Sequence, residues 1–223
     1  MADVELAKDR IDVGLYTNRY EEMASFYGGV VGLPYEELLK VGGGVHQHRY
    51  GLRGSVCKIN AARADLPPAP TAFRRLVVAR EGVVSPEVLV DPDGTEVELV
   101  PPGHEGVDDL AVEWVTGDVA GLARLLADGF GAVDGRIGTS SLRIVHDPSV
   151  PEIGGMFARG LRYLTVQVRD VKAAHAHLLD VGWSEGRAPV KLGETAYISF
   201  VRDAGGSWIE VSQRASLTGP LPD

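Results

Sequence analysis

The stretch "DPDGTEVELV" (residues 91–100) opens as a tight turn and closes as a strand. Once the chain reverses at Asp91-Pro92-Asp93-Gly94, two-residue alternation puts Val97 and Leu99 on one face and Glu96 and Glu98 on the other. Near the other end, "RDAGGSWIEVSQ" (202–213) repeats the pattern: Asp91 aligns with Asp203, Gly94 with Gly206 and Glu98 with Glu210. A turn and strand that recur in register with a carboxylate at the same offset point to a duplicated unit.

Working outward, four segments each open on a strand-like run. The first runs from "IDVGLYTN" (11–18) through the helical "RYEEMASFYGGVVG" (19–32), with Met23, Phe26 and Tyr27 at helical spacing, to "GVHQHRYG" (44–51) and "GSVCKIN" (54–60). The second, "FRRLVVAR" (73–80), "EVLV" (87–90) and "TEVELV" (95–100), leaves no room for a helix, so "EGVVSP" (81–86) must cross directly. The third pairs "DLAVEWVT" (109–116) with the helix "DVAGLARLLADG" (118–129) and with strands near "AVDGRI" (132–137) and "SLRIVH" (141–146). The fourth has "LRYLTVQV" (161–168), the helix "DVKAAHAHLLDVG" (170–182), then "GRAPVKL", "TAYISFVRD" and "SWIEVSQ". "PPGHEGVDD" (101–109) has the punctuation of a linker and sets the expected boundary between two domains, residues 1–103 and 107–223. Pro220 and Pro222 predict an extended tail.

The chain has 223 residues and 44% hydrophobic content, enough for one large domain or two small ones. A net charge of -9, from 31 acidic against 22 basic residues, speaks against a nucleic-acid backbone or an anionic membrane as partner. The opening "MADVELAKDR" has no apolar h-region and no stretch approaches the ~20 apolar residues of a membrane span, so a cytoplasmic protein is expected. Its single cysteine, Cys57, excludes an intrachain disulfide or a multi-cysteine metal site and reads as buried and inert.

Strand, helix and three strands, repeated, with a "DPDG" hairpin before a Glu-bearing last strand, resembles the vicinal oxygen chelate superfamily of glyoxalases, bleomycin-resistance proteins and type I extradiol dioxygenases. The resemblance implies an α+β fold of repeated βαβββ modules forming two glyoxalase-like domains with curved mixed sheets, the second module lacking its helix. In that family paired modules enclose a cup, whose metal ligands usually come from the first strand of a module, often a His, and from the Glu of a last strand. Glu98 and Glu210 match the last-strand position. The first-strand position falls at Asp12, Arg74, Ala111 and Tyr163, of which only Asp12 suits a hard cation.

His46 and His48 alternate onto one side of a strand and could, with Glu98, hold zinc, iron or manganese; no cofactor at all is an equal expectation. The plain alternative is two partly exposed histidines beside Tyr50. Glu210 shares its face with Trp208 and Ser212, an aromatic wall with a small polar group that suits a ligand pocket, and Glu210 and Glu98 are the candidate catalytic carboxylates. Arg49, Lys58 and Asn60 could bind an anionic substrate, while Trp208, Tyr163 and Trp114 offer stacking surface. His175 and His177 point about 200 degrees apart on a helix and read as surface residues. Phosphate loops and nucleophile elbows are absent from the sequence. Two functions compete: a divalent-metal-dependent lyase, isomerase or dioxygenase acting on a small oxygenated molecule, and a metal-free protein that binds or sequesters an aromatic or antibiotic-like compound. A small-molecule ligand is the expected partner, with a homodimer left open.

Overall fold

The computed structural model describes residues 4–222. The first segment comprises β1 (Asp12–Thr17), α1 (Tyr20–Ala24) running into a π-helical turn (Ser25–Val30), β2 (Tyr35–Gly42), β3 (Val45–Leu52) and β4 (Ser55–Ala62). The second has β5 (Phe73–Ala79), β6 (Glu87–Val90) and β7 (Glu96–Val100), without a helix. The third has β8 (Leu110–Thr116), α2 (Val119–Phe130), β9 (Arg136–Ile137) and β10 (Ser140–His146). The fourth has β11 (Gly160–Gln167), α3 (Val171–Asp180), β12 (Ser184–Leu192), β13 (Ala196–Arg202) and β14 (Trp208–Arg214). One helical turn, α4 (Ala215–Thr218), replaces the expected start of the extended tail; it ends before Pro220 can block it.

The duplicated turns are the same turn. Asp91 Oδ1 accepts from the backbone N–H of Thr95 at 2.8 Å, and Asp203 Oδ1 accepts from that of Ser207 at 2.7 Å. Gly94 and Gly206 take φ of 95° and 87°. Only glycine adopts that left-handed conformation without strain, and at Gly206 a Cβ would also meet the Ile153 carbonyl oxygen at 2.3 Å. The strands that follow alternate as expected, with Val97 and Leu99 at 0% and 2% exposure while Glu96 and Glu98 are half-buried. Both glutamates of the repeat occupy equivalent places: Glu98 pairs with Val77 on β5, and Glu210 with Thr165 on β11, each last strand running parallel to the first strand of its module.

Module pairing departs from the sequence order. An eight-stranded sheet runs β12-β13-β14-β11-β1-β4-β3-β2, joining the first and fourth modules through the antiparallel pair β1 and β11. A six-stranded sheet runs β6-β7-β5-β8-β10-β9, joining the second and third through β5 and β8. Residues 1–103 and 107–223 are therefore not the two sheet-forming units. The segment 101–109 links β7 to β8 within the smaller sheet, where the two strands flank β5 and a short connection suffices. Passage between sheets is made by 63–72 and 147–159.

One hydrophobic core serves both sheets. Val13, Leu15, Cys57 and Ile59 of the larger sheet and Leu76, Val78, Val97 and Val112 of the smaller belong to it, with Met23, Leu122, Leu126 and Leu178 from the helices. Cys57 is fully buried and unbonded to sulfur, and burial pushes its thiol pKa upward, as an inert core residue requires. Trp114, expected as a stacking surface, lies in this core at 0% exposure with its ring edge-on to Phe73, so it cannot face a ligand.

Candidate functional site: the cup of the larger sheet

Strand alternation gives the larger sheet a second face, opposite the core. On it stand Asp12, Gly14 and Tyr16 of β1, Lys58 and Asn60 of β4, Gln47 and Arg49 of β3, Tyr163, Thr165 and Gln167 of β11, and Trp208, Glu210 and Ser212 of β14, because residues paired across strands share a face. β4 and β14 are three strands apart, roughly 14 Å in a flat sheet. Lys58 Nζ nonetheless donates to Glu210 Oε2 at 2.7 Å. The sheet is curled into a cup, and the two walls meet through this pair.

The same Lys58 ammonium donates to Thr165 Oγ1 at 2.7 Å, and Thr165 donates to Glu210 Oε2 at 2.9 Å. Lys58 and Glu210 are 2% and 8% exposed. Burial holds the lysine pKa below its ordinary value, opposed by the charges of Glu210 and Asp12. Beside them Asn60 Nδ2 donates to the Leu15 carbonyl at 2.9 Å and to the Tyr163 hydroxyl at 3.1 Å, Gln47 Nε2 donates to Asn60 Oδ1 at 3.0 Å, and Arg49 donates to Gln47 Oε1 at 3.2 Å. Asp12 is committed elsewhere, accepting from the Val56 N–H, Gln167 Nε2 and Lys8 Nζ.

An aromatic wall adjoins this polar layer. Tyr163 lies edge-on to Phe200 with ring centroids 5.9 Å apart, and Phe200 edge-on to Trp208 at 6.2 Å. Tyr163 can lie flat across β1 only because its cross-strand partner is Gly14, where a Cβ would come within 2.1 Å of the ring. Met156 and Leu66, from the two inter-sheet connections, join this cluster; Phe157 meets Tyr16 edge-on at 5.3 Å, and Trp208 Nε1 donates to the Gly154 carbonyl at 3.0 Å. Burial raises the phenol pKa of Tyr16 and Tyr163, helped by the nearby Glu210 charge. A separate groove of about 450 Å³, bordered by Leu33, Gly51, Arg53 and Arg80, contains none of these groups.

The structure thus brings together Glu210, Lys58, Asn60, Arg49, Tyr163 and Trp208, and leaves out the rest. His46 and His48 share a face of β3, but it is the face turned toward α1: His48 stacks on Tyr20 with centroids 3.6 Å apart and planes 20° from parallel. Glu98 belongs to the smaller sheet, where Arg75 Nη1 and Arg143 Nη1 each approach its Oε2 at 3.5 Å. The expected set His46, His48 and Glu98 is therefore not a site: alternation fixes which residues share a face but not which face turns inward, and no spacing reports that two strands lie in different sheets. Arg74, at the first-strand position of the second module, pairs with Glu113. His175 is also corrected, being buried and 3.1 Å from Glu185 because α3 packs that face on β12. Among residues not anticipated, Tyr16 and Arg214 could have been found by extending the alternation of β1 and β14; Thr165 and Glu37 required the strand pairing.

The four last-strand positions explain the donor set. Opposite Gly14, Val77, Glu113 and Thr165 stand Lys58, Glu98, Arg143 and Glu210. Each sheet thus matches one carboxylate with one base, Glu210 with Lys58 and Glu98 with Arg143. A divalent cation needs converging carboxylate or neutral imidazole donors. Among the described residues no three His, Cys, Asp or Glu side chains converge. With a basic side chain against each glutamate, these residues do not fit a divalent metal.

Residues 116–211 match the model of the Glyoxalase/Bleomycin resistance protein/Dioxygenase superfamily. Glyoxalase I from Zea mays superposes with a TM-score of 0.73 over 92% of each chain at 14% identity, and its V278E mutant with 0.74, also over 92% of each chain at 14% identity. A protein of Bacillus subtilis subsp. subtilis str. 168, provisionally described as a dioxygenase, gives 0.68 over 96% of this chain and 86% of its own at 15% identity. No curated protein matches the sequence. With modules paired in the larger sheet to form a cup, the chain shares the glyoxalase I fold over its whole length, and residues 116–211 match the Glyoxalase/Bleomycin resistance protein/Dioxygenase superfamily.

Proposed function

We propose that the cup of the larger sheet receives a small oxygenated molecule with an aromatic or apolar part, and that Lys58 and Glu210 are the groups that meet its oxygens. The observation that carries this reading is the buried Lys58–Glu210 pair, 2.7 Å apart, facing the wall of Tyr163, Phe200 and Trp208. In such a place a lysine donates to a carbonyl or phenolate oxygen and a carboxylate accepts a proton from the adjoining atom, which is the chemistry of isomerases and lyases. Lys58 supplies positive charge where a divalent cation would otherwise do so, so the chemistry proceeds on the chain's own residues. The cytoplasm is the proposed location; no described helix is long and apolar enough to cross a membrane.

The metal-dependent form of this reading, a lyase, isomerase or dioxygenase, is favoured by the family match over residues 116–211 and requires Glu210 to exchange Lys58 for a cation. Elemental analysis of protein purified without a His tag separates the two, together with thermal melting in added zinc, iron or manganese. The expected result is no stoichiometric metal and an unchanged melting temperature. Stoichiometric metal lost in Glu210→Gln would replace the proposal with the metal-dependent reading.

A further inference from the structure

Beyond Lys58 and Glu210, the cup holds a second convergence of charge. Arg49 stands on β3 and Arg214 at the end of β14, four strands apart in the sheet order, on opposite walls of the cup. Both guanidinium groups nevertheless come near one oxygen: Glu37 Oε1 lies 3.0 Å from Arg49 Nε and 3.6 Å from Arg214 Nη2. The arginine side chains are 7% and 16% exposed, while Glu37, on the edge strand β2, is 45% exposed. Among the described residues, the carboxylate within ion-pair distance of both guanidinium groups is the half-exposed Glu37 reaching in from the rim, while Glu210 and Asp12 act on Arg214 from farther off.

The fit is incomplete. Glu37 Oε1 is near Arg49 Nε but off the N–H direction, so this buried nitrogen makes no hydrogen bond among the described residues. Arginine's planar fork is best matched by a carboxylate or phosphate approaching in its plane, and such charge-assisted pairs are among the stronger hydrogen bonds. Burial lowers the Arg214 pKa and the neighbouring Arg49 charge adds to that effect, opposed by the charges of Glu37, Glu210 and Asp12. Arg49 also acts electrostatically on the Tyr163 phenol, which places the two arginines within reach of the aromatic wall.

We infer that Arg49 and Arg214 form an anion subsite of the cup, occupied in this state by Glu37 as an internal stand-in, and that the ligand is an aromatic molecule bearing a carboxylate or comparable anionic group. The inference rests on the cup being the binding site. The anion displaces Glu37, whose exposure lets it swing into solvent, and takes over its place beside the two guanidinium groups, while the ring rests against Tyr163, Phe200 and Trp208. A chain of net charge -9 would otherwise repel such a ligand, and a local pair of arginines is what admits it.

The test uses benzoate and benzyl alcohol as probes, which share a ring and differ in charge, titrated calorimetrically into the wild-type protein, Glu37→Gln and Arg214→Gln. Benzoate should bind at least about tenfold more tightly than benzyl alcohol, as expected when a charge-assisted hydrogen bond is added. Glu37→Gln should strengthen benzoate binding by removing its competitor, and Arg214→Gln should weaken it while leaving benzyl alcohol unchanged. Thermal melting of each variant confirms that it is folded. Equal binding of the two probes, with no response to Glu37→Gln, would overturn the anion subsite and leave the cup as the binding site. Failure of both probes to bind either the wild type or Glu37→Gln would overturn the subsite and the cup together.

Discussion

Gly14 shows how one residue without a side chain shapes the site. The Tyr163 ring occupies the volume a Cβ would need, at 2.1 to 2.5 Å, and its hydroxyl accepts from Asn60. Gly14→Ala must push the ring off β1 and break that bond, so a loss of about 1–3 kcal/mol, the usual cost of overpacking, is expected in urea denaturation. Gly117 is the control: a Cβ there meets nothing within 4 Å and its φ is not positive, so Gly117→Ala should be neutral or slightly stabilising. Equal losses at the two positions would mean that Tyr163 is free to move and does not depend on Gly14. At this scale much of the site was legible, since Trp208, Glu210 and Ser212 follow from alternation once the turn at Asp203 is recognised. The partner of Glu210 was not. Lys58 is 152 residues away in sequence, and only the pairing of β1 with both β4 and β11 brings it there.

Among the elements, β3 carries the plainest lesson in what periodicity leaves open. Its two faces read His46, His48, Tyr50 and Gln47, Arg49, and both combine polar with larger side chains, so nothing local says which is inward. The deciding neighbours are α1, whose Tyr20 stacks on His48, and β4, whose Asn60 bonds Gln47. Burial lowers the His48 pKa from its ordinary 6.5, reinforced by His46 and opposed by Glu21, while its buried Nδ1 has no hydrogen-bond partner among the described residues. The native state therefore binds this proton less readily than the unfolded chain. The resulting stability is fully present above about pH 6.5 and is lost as pH falls through the folded-state value. Between pH 7 and 5 the urea midpoint should fall more steeply in the wild type than in His48→Phe, which keeps a ring against Tyr20 but cannot titrate. Identical slopes would show that the α1 contact does not disfavour the imidazolium.

For the whole molecule, the module count and the helix missing from the second module were legible, but the partnership of modules was not. Pro, Gly and Asp at 101–109 are what a domain linker contains, yet the same residues also make a tight connection within a sheet. What chooses between them is burial of β1 and β11: every residue of β1 and every residue of β11 is buried, so each needs sheet on both sides and each supplies it to the other. A cut in the segment 101–109 should therefore not release two folded halves. Residues 1–104 alone would leave β1 without β11 and β5 without β8, exposing apolar central strands as sheet edges. Expressed singly, neither 1–104 nor 105–223 should show a cooperative thermal transition as a monomer; mixed, they should co-elute at one-to-one stoichiometry and regain a single transition. Because β1 meets β11 antiparallel and the modules repeat, a half could also pair with a second copy of itself, which light scattering would reveal as a dimer. A monomeric 1–104 that melts cooperatively would restore the boundary at the linker and show that the β1–β11 contact docks two finished domains instead of completing one sheet.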